Sequence, residues 1–449
     1  MIHMVTQSTL TDRAEHLRGL GARTLTGVVS DTGGVLRAKT VPAARIESFA
    51  RSGMGASLTW PVFCVDNAVA VTEALGVVGD LRLAADLDAA VVLDQGFGWA
   101  PCDVRDQEGA RSPLCWRDVT RRSVKRLAAL GISALVGHEM EFTFFTEAGD
   151  VLGASGWAAY GLAPHSELSE VLTQICERLS AAGVPVEQIH AEYGQGQYEL
   201  SLPPLEPLRS ADAVLLARTV IGRVGREHGL RASFSPVPFE GAAGNGAHLH
   251  TSFARDGSPL LAGGPGPRGM HLEAASAIAG IVANLPGAMT VMAGTVVSGE
   301  RMAPGHWSGA HACWGHENRE AAVRLLAANN GNPHGANVEV KCVDAGANPY
   351  LATGIVLGLA AHGIERSLTL SPEVTGDPAA LSDADKVRGG VVQLQADRAL
   401  QLKDFRASGP VGDILGPELS AALEAVRTHE LTAYEGQDAR TLTRYLWSA

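Results

Sequence analysis

The stretch GHEMEFTFF, residues 137–145, constrains the fold most strongly, because it places two carboxylates inside an otherwise apolar run. Side chains on a β-strand alternate between its two faces, so Glu139 and Glu141 should point the same way. The opposite face would then carry Met140, Phe142 and Phe144. Neighbouring carboxylates repel each other and resist burial. The stretch is therefore either a solvated edge strand, which is the commoner arrangement, or a strand whose acids face a cation.

Three later segments also combine acids or histidines with strand-like sequence: EQIHAEYGQGQYEL (187–200), GAAGNGAHLHTSF (241–253) and NVEVKCVD (337–344). Alternation places His248 and His250 on one strand face, and Glu339 with Lys341 on one face of another strand. Carboxylates and an imidazole suit Mg²⁺ or Mn²⁺, which would relieve the repulsion between the acids. Each motif alone is common in proteins without metals. Their order and combination predict a divalent-metal site.

Patterning along the chain predicts two domains, residues 1–103 and 104–449. Residues 9–20 have helical spacing, residues 25–41 form two strands around an Asp-Thr-Gly-Gly turn, and residues 68–75 continue in strand-like alternation. From about Arg111 onward, segments with apolar residues three and four apart end at glycines, which is typical of amphipathic helices. The prediction is a small β-rich module followed by a large α+β domain.

Composition and charge exclude several classes of protein. A net charge of −12 argues against a nucleic-acid binder, which needs a basic face. Residues 274–299 carry no charge, but Asn284 and Pro286 interrupt them, so a buried helix and loop is expected rather than a membrane span. The first twenty residues lack the pattern of a signal peptide. Six scattered cysteines without close pairs predict free thiols in a reducing cytoplasm.

In this order, the motifs resemble those of the glutamine synthetase family over nearly the whole chain. GHEMEF resembles the first metal strand, HAEYGQGQYE the second acidic motif, and GNGAHLHTS the glycine-histidine motif for ATP. SGERMAPG followed by WGHENREAAVR resembles the arginine-rich substrate segment, and VEVKCVDAGANPYLA the last metal strand. The resemblance implies an α+β fold with a small N-terminal β-grasp-like domain. A large catalytic domain with a curved antiparallel sheet would follow it.

The resemblance also implies two or more Mg²⁺ or Mn²⁺ ions per subunit. The metal near the acceptor carboxylate would be held by Glu141, Glu192 and Glu199. The metal that grips the ATP phosphates would be held by Glu139, His248 and Glu339. The nucleotide would be lined by Glu187, His250, Ser252 and Arg324.

The same resemblance implies the substrate residues. Gly244 would approach the backbone groups of glutamate, and Arg301 would bind its α-carboxylate. Arg319 would stabilise the transferring phosphate, with Lys341 in place of a family arginine. The implied reaction is attack of the glutamate γ-carboxylate on the γ-phosphate of ATP, giving an acyl phosphate. An amine then displaces the phosphate.

The departures from the family pattern bear on the amine. Glutamine synthetases bind ammonium between two acids, but Met54 and Trp307 stand at the matching positions here. Together with Trp60 they imply an apolar pocket, and a cation stripped of water needs negative charge or a π face. The pattern is similar to actinobacterial members of the family that γ-glutamylate polyamines or monoamines. Authentic glutamine synthetase and a non-catalytic structural or regulatory relative stay as alternatives. Ala243, where the family has an asparagine, leaves the acyl donor open.

The family resemblance implies a cytoplasmic homo-oligomer, a dodecamer of two stacked hexameric rings. Each active site would be completed by the N-terminal module of a neighbouring subunit, so Met54 would act on the next subunit. The partners of such an enzyme would be glutamate, ATP and an amine, without nucleic acid or membrane.

Overall fold

The computed structural model describes residues 9–153 and 156–449. The prediction about a signal peptide lies mainly on residues 1–8, which are outside the described residues. The helices are α1 (Leu10–Gly19), α2 (Ile46–Arg51), α3 (Trp116–Ala129), α4 (Leu162–Glu167), α5 (Ser169–Ala181), α6 (Pro207–Glu227), α7 (Leu272–Met292), α8 (Ser298–Arg301), α9 (Pro349–Glu365), α10 (Asp383–Gly389), α11 (Arg398–Ala407), α12 (Gly409–Leu415), α13 (Pro417–Ala433) and α14 (Ala439–Thr443).

The strands fall into two sheets. The first contains β1 (Thr24–Ser30), β2 (Leu36–Pro42), β3 (Met54–Ser57), β4 (Asp80–Ala85), β5 (Val91–Leu93) and β6 (Phe97–Arg105). The second contains β7 (Ile132–Thr146), β8 (Gln188–Ala191), β9 (Gln197–Ser201), β10 (Leu230–Ser233), β11 (Leu249–Arg255), β12 (Ser258–Pro259), β13 (His311–His316), β14 (Ala321–Leu326), β15 (Asn337–Val340) and β16 (Val392–Gln393).

The first sheet has the order β2-β1-β6-β4-β3, with β5 added beside β6. Strands β1 and β6 are parallel, and the other pairs are antiparallel. The predicted strand pair at residues 25–41 is confirmed: Gly34, at φ +81°, lies in its turn and approaches the carbonyl of Gly346 too closely for any Cβ. The domain boundary at residue 103 stays a prediction, and β6 ends at Arg105.

The strand predicted at residues 68–75 is wrong. Only Val69 makes an isolated bridge, to Phe63, and the following backbone bonds close short turns such as Thr72 N–H to Leu75 O. The alternation of alanine and valine predicts a strand, but a strand needs a partner along its length. Residues 62–64 pair only with residues 68–70, no partner continues along the rest of the segment among the described residues, and Val71 is exposed.

The second sheet has the order β16-β13-β14-β15-β11-β7-β9-β8, with β10 beside β7 and β12 beside β11. Its pairs are antiparallel except for the parallel pair β13 and β14. The sheet is curved and nearly closed, and the predicted fold class is confirmed. Helices α3 and α6 contact β7, while α9 packs against α3, α6 and α7.

Helix α7 carries most of the uncharged segment of residues 274–299. It is the one helix of the described chain that is long and apolar enough to cross a membrane, and 78% of its most apolar window is buried inside the protein. Helix α9 and strands β13 and β14 contact it. The prediction of a buried helix at this place is confirmed. The six cysteines are free thiols, as predicted.

Candidate active site

Strand β7 runs through the centre of the site, because it is hydrogen-bonded along both edges at the two acids. Residues 132–138 pair with β11, and residues 139–143 pair with β9. On the other side, Glu139 N–H donates to His248 O at 3.0 Å and Glu141 N–H donates to Gly246 O at 3.0 Å. The strand is therefore interior, so the edge-strand explanation is wrong. Met140 and Phe142 are fully buried on its opposite face, as alternation predicts.

Three side chains form the first candidate metal set: Glu139 on β7, Glu339 on β15 and His248 directly before β11. The ring nitrogen Nδ1 of His248 lies 3.2 Å from a carboxylate oxygen of Glu139 and 3.4 Å from one of Glu339. One possible ligand atom from each residue lies within 4.8 Å of the others. His248 and Glu339 are buried, and Glu139 is half-buried. The structure brings together all three residues predicted to hold the metal of the ATP phosphates.

The second candidate set adjoins the first on the same face of the sheet, and His248 belongs to both. Glu141 and Glu199 are direct cross-strand partners, and with His248 they form one group of close ligand atoms. Glu192 belongs to an adjoining group with His190 and Glu199. Glu199 therefore links the two groups. The three ligands predicted from the sequence are neighbours through Glu199 rather than one compact triad, and His190 is an additional member.

The electrostatics of these groups fit a cation. Burial, together with the charges of Glu139, Glu141 and other acids, raises the pKa of Glu199 to about 9. Burial also opposes ionisation of Glu339, but Lys341 and the two nearby histidines outweigh it and lower its pKa to about 2. Hydrogen bonds from His248 and His250 likewise hold the pKa of Glu139 below its ordinary value against burial. The second set thus lacks compensating positive charge, and a divalent ion would supply it.

Arg301 closes one end of the site. Its guanidinium is buried and reaches His248 Nε2 and Lys341 O, each at 3.3 Å. Over residues 9–153 and 156–449, no carboxylate forms an ion pair with it. A Cβ at Gly246 would lie 2.7 Å from Arg301 Nη2, and one at Gly244 would lie 3.1 Å from Arg301 Cγ. The two glycines keep open the space beside an unpaired cation, where an anionic substrate group fits.

The residues predicted at the nucleotide and phosphate are partly assembled. Arg324 and Lys341 both bind Glu339, at 3.1 and 3.0 Å, and His250 Nδ1 lies 2.9 Å from Asn337 Oδ1. The other three residues predicted here form no hydrogen bond or ion pair with Glu339 or His250 among the described residues. Ser252 is half-buried further along β11, whereas Glu187 and Arg319 are exposed, at the start of the β8–β9 hairpin and on the turn after β13.

The three residues predicted for the amine lie in two places within one chain. Met54 and Trp60 are half-buried in the first sheet and the turn after it, and Lys39 Nζ lies 5.7 Å from the Trp60 ring centre. Trp307 is exposed beside the second sheet, where it contacts Tyr193. The family resemblance implies a pocket in which all three meet across two subunits. The joint pocket stays a prediction.

Three residues of the site escape motif-based prediction. His190 lies 3.4 Å from Glu192, and its position two residues earlier on the same strand could have signalled it. Gln197 donates to Glu141 at 3.0 Å and to Gly244 O at 2.6 Å, so it ties the acidic strand to the glycine loop. Gly246 N–H donates to Glu141 at 2.8 Å. A neutral side chain and a backbone amide give no chemical signal in the sequence.

A divalent metal is expected to stabilise the protein more at about pH 8.5 than at about pH 6.5. With the pKa of Glu199 near 9, the metal-free folded state keeps a proton that the unfolded chain loses above about 4.5. Stability without metal therefore falls as pH rises through this window, and a metal that takes the proton's place binds better there. Thermal unfolding with Mn²⁺ or with a chelator measures this increment.

Glu199→Gln is the matched control, because it removes the titrating group while keeping its size. The variant should have nearly the same metal increment at both pH values. An equal increment at both pH values in the native protein would contradict the assignment of Glu199 to a metal.

Comparison with known proteins places the chain among related sequences. The sequence model described as glutamine synthetase, catalytic domain, matches residues 113–444. A gamma-glutamylpolyamine synthetase of Streptomyces coelicolor is 40% identical over 94% of this chain and 92% of its own length. A glutamine synthetase of Thermococcus kodakarensis is 29% identical over 67% of each chain. The crystal structure of a glutamine synthase homolog covers 95% of this chain and 98% of its own, with a TM-score of 0.83 and 29% identity.

Proposed function

The chain belongs to the glutamine synthetase family and is an ATP-dependent ligase of that type, and we propose that it joins the γ-carboxylate of glutamate to an organic amine. The amine is a polyamine or a monoamine. The reaction passes through γ-glutamyl phosphate and releases ADP and phosphate. The likeness to a gamma-glutamylpolyamine synthetase over nearly the whole chain supports this proposal.

The side chains of the site have distinct tasks in this reaction. The two ligand sets take Mg²⁺ or Mn²⁺, which when bound neutralises charge on the phosphate oxygens. Arg301, which is buried and has no acidic partner among the residues that the structure describes, binds the α-carboxylate of glutamate. Lys341 and Arg319 face the phosphoryl group as it moves from ATP to the γ-carboxylate oxygen. The neutral amine nitrogen then attacks the acyl carbon, phosphate leaves, and the new amide nitrogen releases a proton.

The observation that carries the choice of an organic amine is the absence of an acid at the two positions, 54 and 307, where the family binds ammonium. Ammonium that leaves water needs a negative charge close by, and neither Met54 nor Trp307 supplies one. Trp307 instead lies against Tyr193, with ring centres 6.1 Å apart. Aromatic and apolar surface gains free energy from a carbon chain, and ammonia has none.

Phosphate release from ATP and glutamate tests the proposal. Putrescine, spermine, ethanolamine and simple alkylamines are compared with ammonium under the same conditions. At least one organic amine is expected to give a kcat/KM well above that for ammonium. Strong turnover with millimolar ammonium and none with the amines would identify the protein as a glutamine synthetase instead. Substituting other γ-carboxylates for glutamate tests the acyl donor, because Ala243 replaces an asparagine of the family.

A non-catalytic descendant of the family is the remaining alternative. Decay would be expected to remove some of the ligands, yet all six are present and lie on adjoining strands or at their ends: Glu139, Glu141, Glu192, Glu199, His248 and Glu339. This supports an enzyme. No turnover with any amine, together with no Mg²⁺-dependent binding of ATP, would support the alternative.

The proposal includes a cytoplasmic homododecamer of two hexameric rings. Met54 lies in β3 and Trp60 in the turn after it, and a neighbouring subunit would bring these residues to the pocket that contains Trp307. Sedimentation velocity should give a single large species at the mass of twelve chains. A monomer that is fully active would contradict the shared pocket.

A further inference from the structure

Two exposed aromatic rings meet beside the second ligand set. Tyr193 is 60% exposed and Trp307 is 50% exposed, and their ring centres are 6.1 Å apart with an angle of 61° between the planes. Tyr193 directly follows Glu192, and its N–H donates to the Glu192 carboxylate at 2.5 Å. The pair therefore lies at the edge of the candidate active site rather than on a remote surface.

A carboxylate completes this edge. The backbone N–H of Trp307 donates to Glu320 Oε1 at 3.3 Å, which holds the Trp307 loop close to the turn before β14. Glu320 follows Arg319, the residue expected at the transferring phosphate. Trp307 has φ +53° and Glu317, in the same turn as Glu320, also has φ +53°. Left-handed backbone is uncommon for bulky side chains, and such residues cluster at functional sites.

We propose that Tyr193, Trp307 and Glu320 bind a second ammonium group of a diamine or polyamine while its first amino group attacks the acyl phosphate. This inference rests on the proposed function and goes further, because it names the class of amine and the residues that select it. Ring faces attract a cation within about 6 Å of the ring centre. The Glu320 carboxylate adds a negative charge. A monoamine has no second ammonium group, so it cannot bind to the rings or to this carboxylate in the same way.

The arrangement matches the geometry of such a substrate. A diamine carries a flexible apolar chain between two nitrogens. While one nitrogen attacks the acyl phosphate, the other lies further out, where an anionic or aromatic contact can bind it. The backbone N–H of Tyr193 donates to Glu192 and that of Trp307 donates to Glu320, so the contact between the rings joins two segments that each carry a carboxylate. Both rings are at least half exposed. An ordinary surface pair would give no discrimination between one and two ammonium groups.

The test compares putrescine with butylamine, which has the same carbon chain but only one amino group. Glu320→Gln is expected to lower the preference for putrescine, taken as the ratio of the two kcat/KM values, about threefold, and Trp307→Leu by a similar factor. The change should appear in the KM for putrescine, with the KM values for ATP and glutamate unchanged. Glu147→Gln, an exposed acid at the hairpin after β7, is the matched control.

Each outcome decides the inference. An unchanged putrescine-to-butylamine ratio in both variants would overturn it, even if the native enzyme uses amines well. An equal loss for both amines in Trp307→Leu with no effect of Glu320→Gln would also overturn it, because the rings would then bind only the carbon chain. If the native enzyme releases phosphate with neither of these amines nor with any other organic amine of the panel, the proposed function itself fails. That result is seen before any variant is compared.

Discussion

Replacing Arg117 by Met is expected to lower the free energy of unfolding by about 3–5 kcal/mol, because it leaves buried carboxylates without their cation. Arg117 lies in α3 and is 2% exposed. Its guanidinium binds Asp86 at 2.9 Å, Asp103 at 2.6 Å and both carboxylate oxygens of Asp212 at 2.9 and 3.1 Å. Asp103 belongs to the first sheet and Asp212 to α6, so this one side chain joins the two parts of the chain.

The midpoint of chemical denaturation measures the loss. Arg121→Met is the matched control, since Arg121 is more exposed and its one ion pair within the described part of the chain is with Asp103, and it should cost about 1 kcal/mol. Burial raises the pKa of Asp212 even with Arg117 present. In the variant, Asp212 of the folded state takes up a proton more readily, so the loss in free energy of unfolding relative to the native protein should become smaller as the pH falls. A variant as stable as the native protein at neutral pH would contradict the argument.

The centre of the site could be predicted from the sequence because it depends on local alternation. The two faces of β7 follow from the spacing of Glu139, Phe142 and their neighbours, and the same period puts His248 and His250 on one side of β11. The edge-strand explanation failed for a non-local reason. Whether a strand is interior depends on which segments pair with it, and residues 246–248 approach β7 from more than a hundred positions away.

Other features of the molecule have no local signal. The carboxylates that meet Arg117 come from residues 86, 103 and 212, and each looks like an ordinary surface acid in its own segment. For residues 68–75 the sequence predicts too much rather than too little. It alternates as in a strand, but within the described part of the chain no partner strand runs along the segment. The contact between Tyr193 and Trp307 likewise joins two loops that are distant in the chain. Alternation predicts the face of a side chain, whereas its neighbours depend on topology.

Substituting Glu139 and Glu141 one at a time is expected to impair two different steps, nucleotide binding and activation of the acceptor carboxylate. Glu139 lies 3.2 Å from His248 and 3.2 Å from His250, on the side predicted for the ATP phosphates. Glu141 instead accepts hydrogen bonds from Gln197 at 3.0 Å and Gly246 N–H at 2.8 Å, beside the glycine loop and Arg301. Gln in place of either acid keeps the size and removes one negative charge from a metal set.

Glu139→Gln should therefore weaken Mg²⁺-dependent binding of ATP about tenfold or more. Glu141→Gln should leave that binding largely intact and lower amine-dependent phosphate release at least about a hundredfold, because the acceptor carboxylate loses its metal. Calorimetric titration with MgATP and a phosphate-release assay measure the two effects on the same preparations. Equal effects of both substitutions on both readouts would contradict two separate metals. The two acids of GHEMEFTFF would then bind a single ion. Alternation along the strand would still explain why they share a face, but they would not have separate functions.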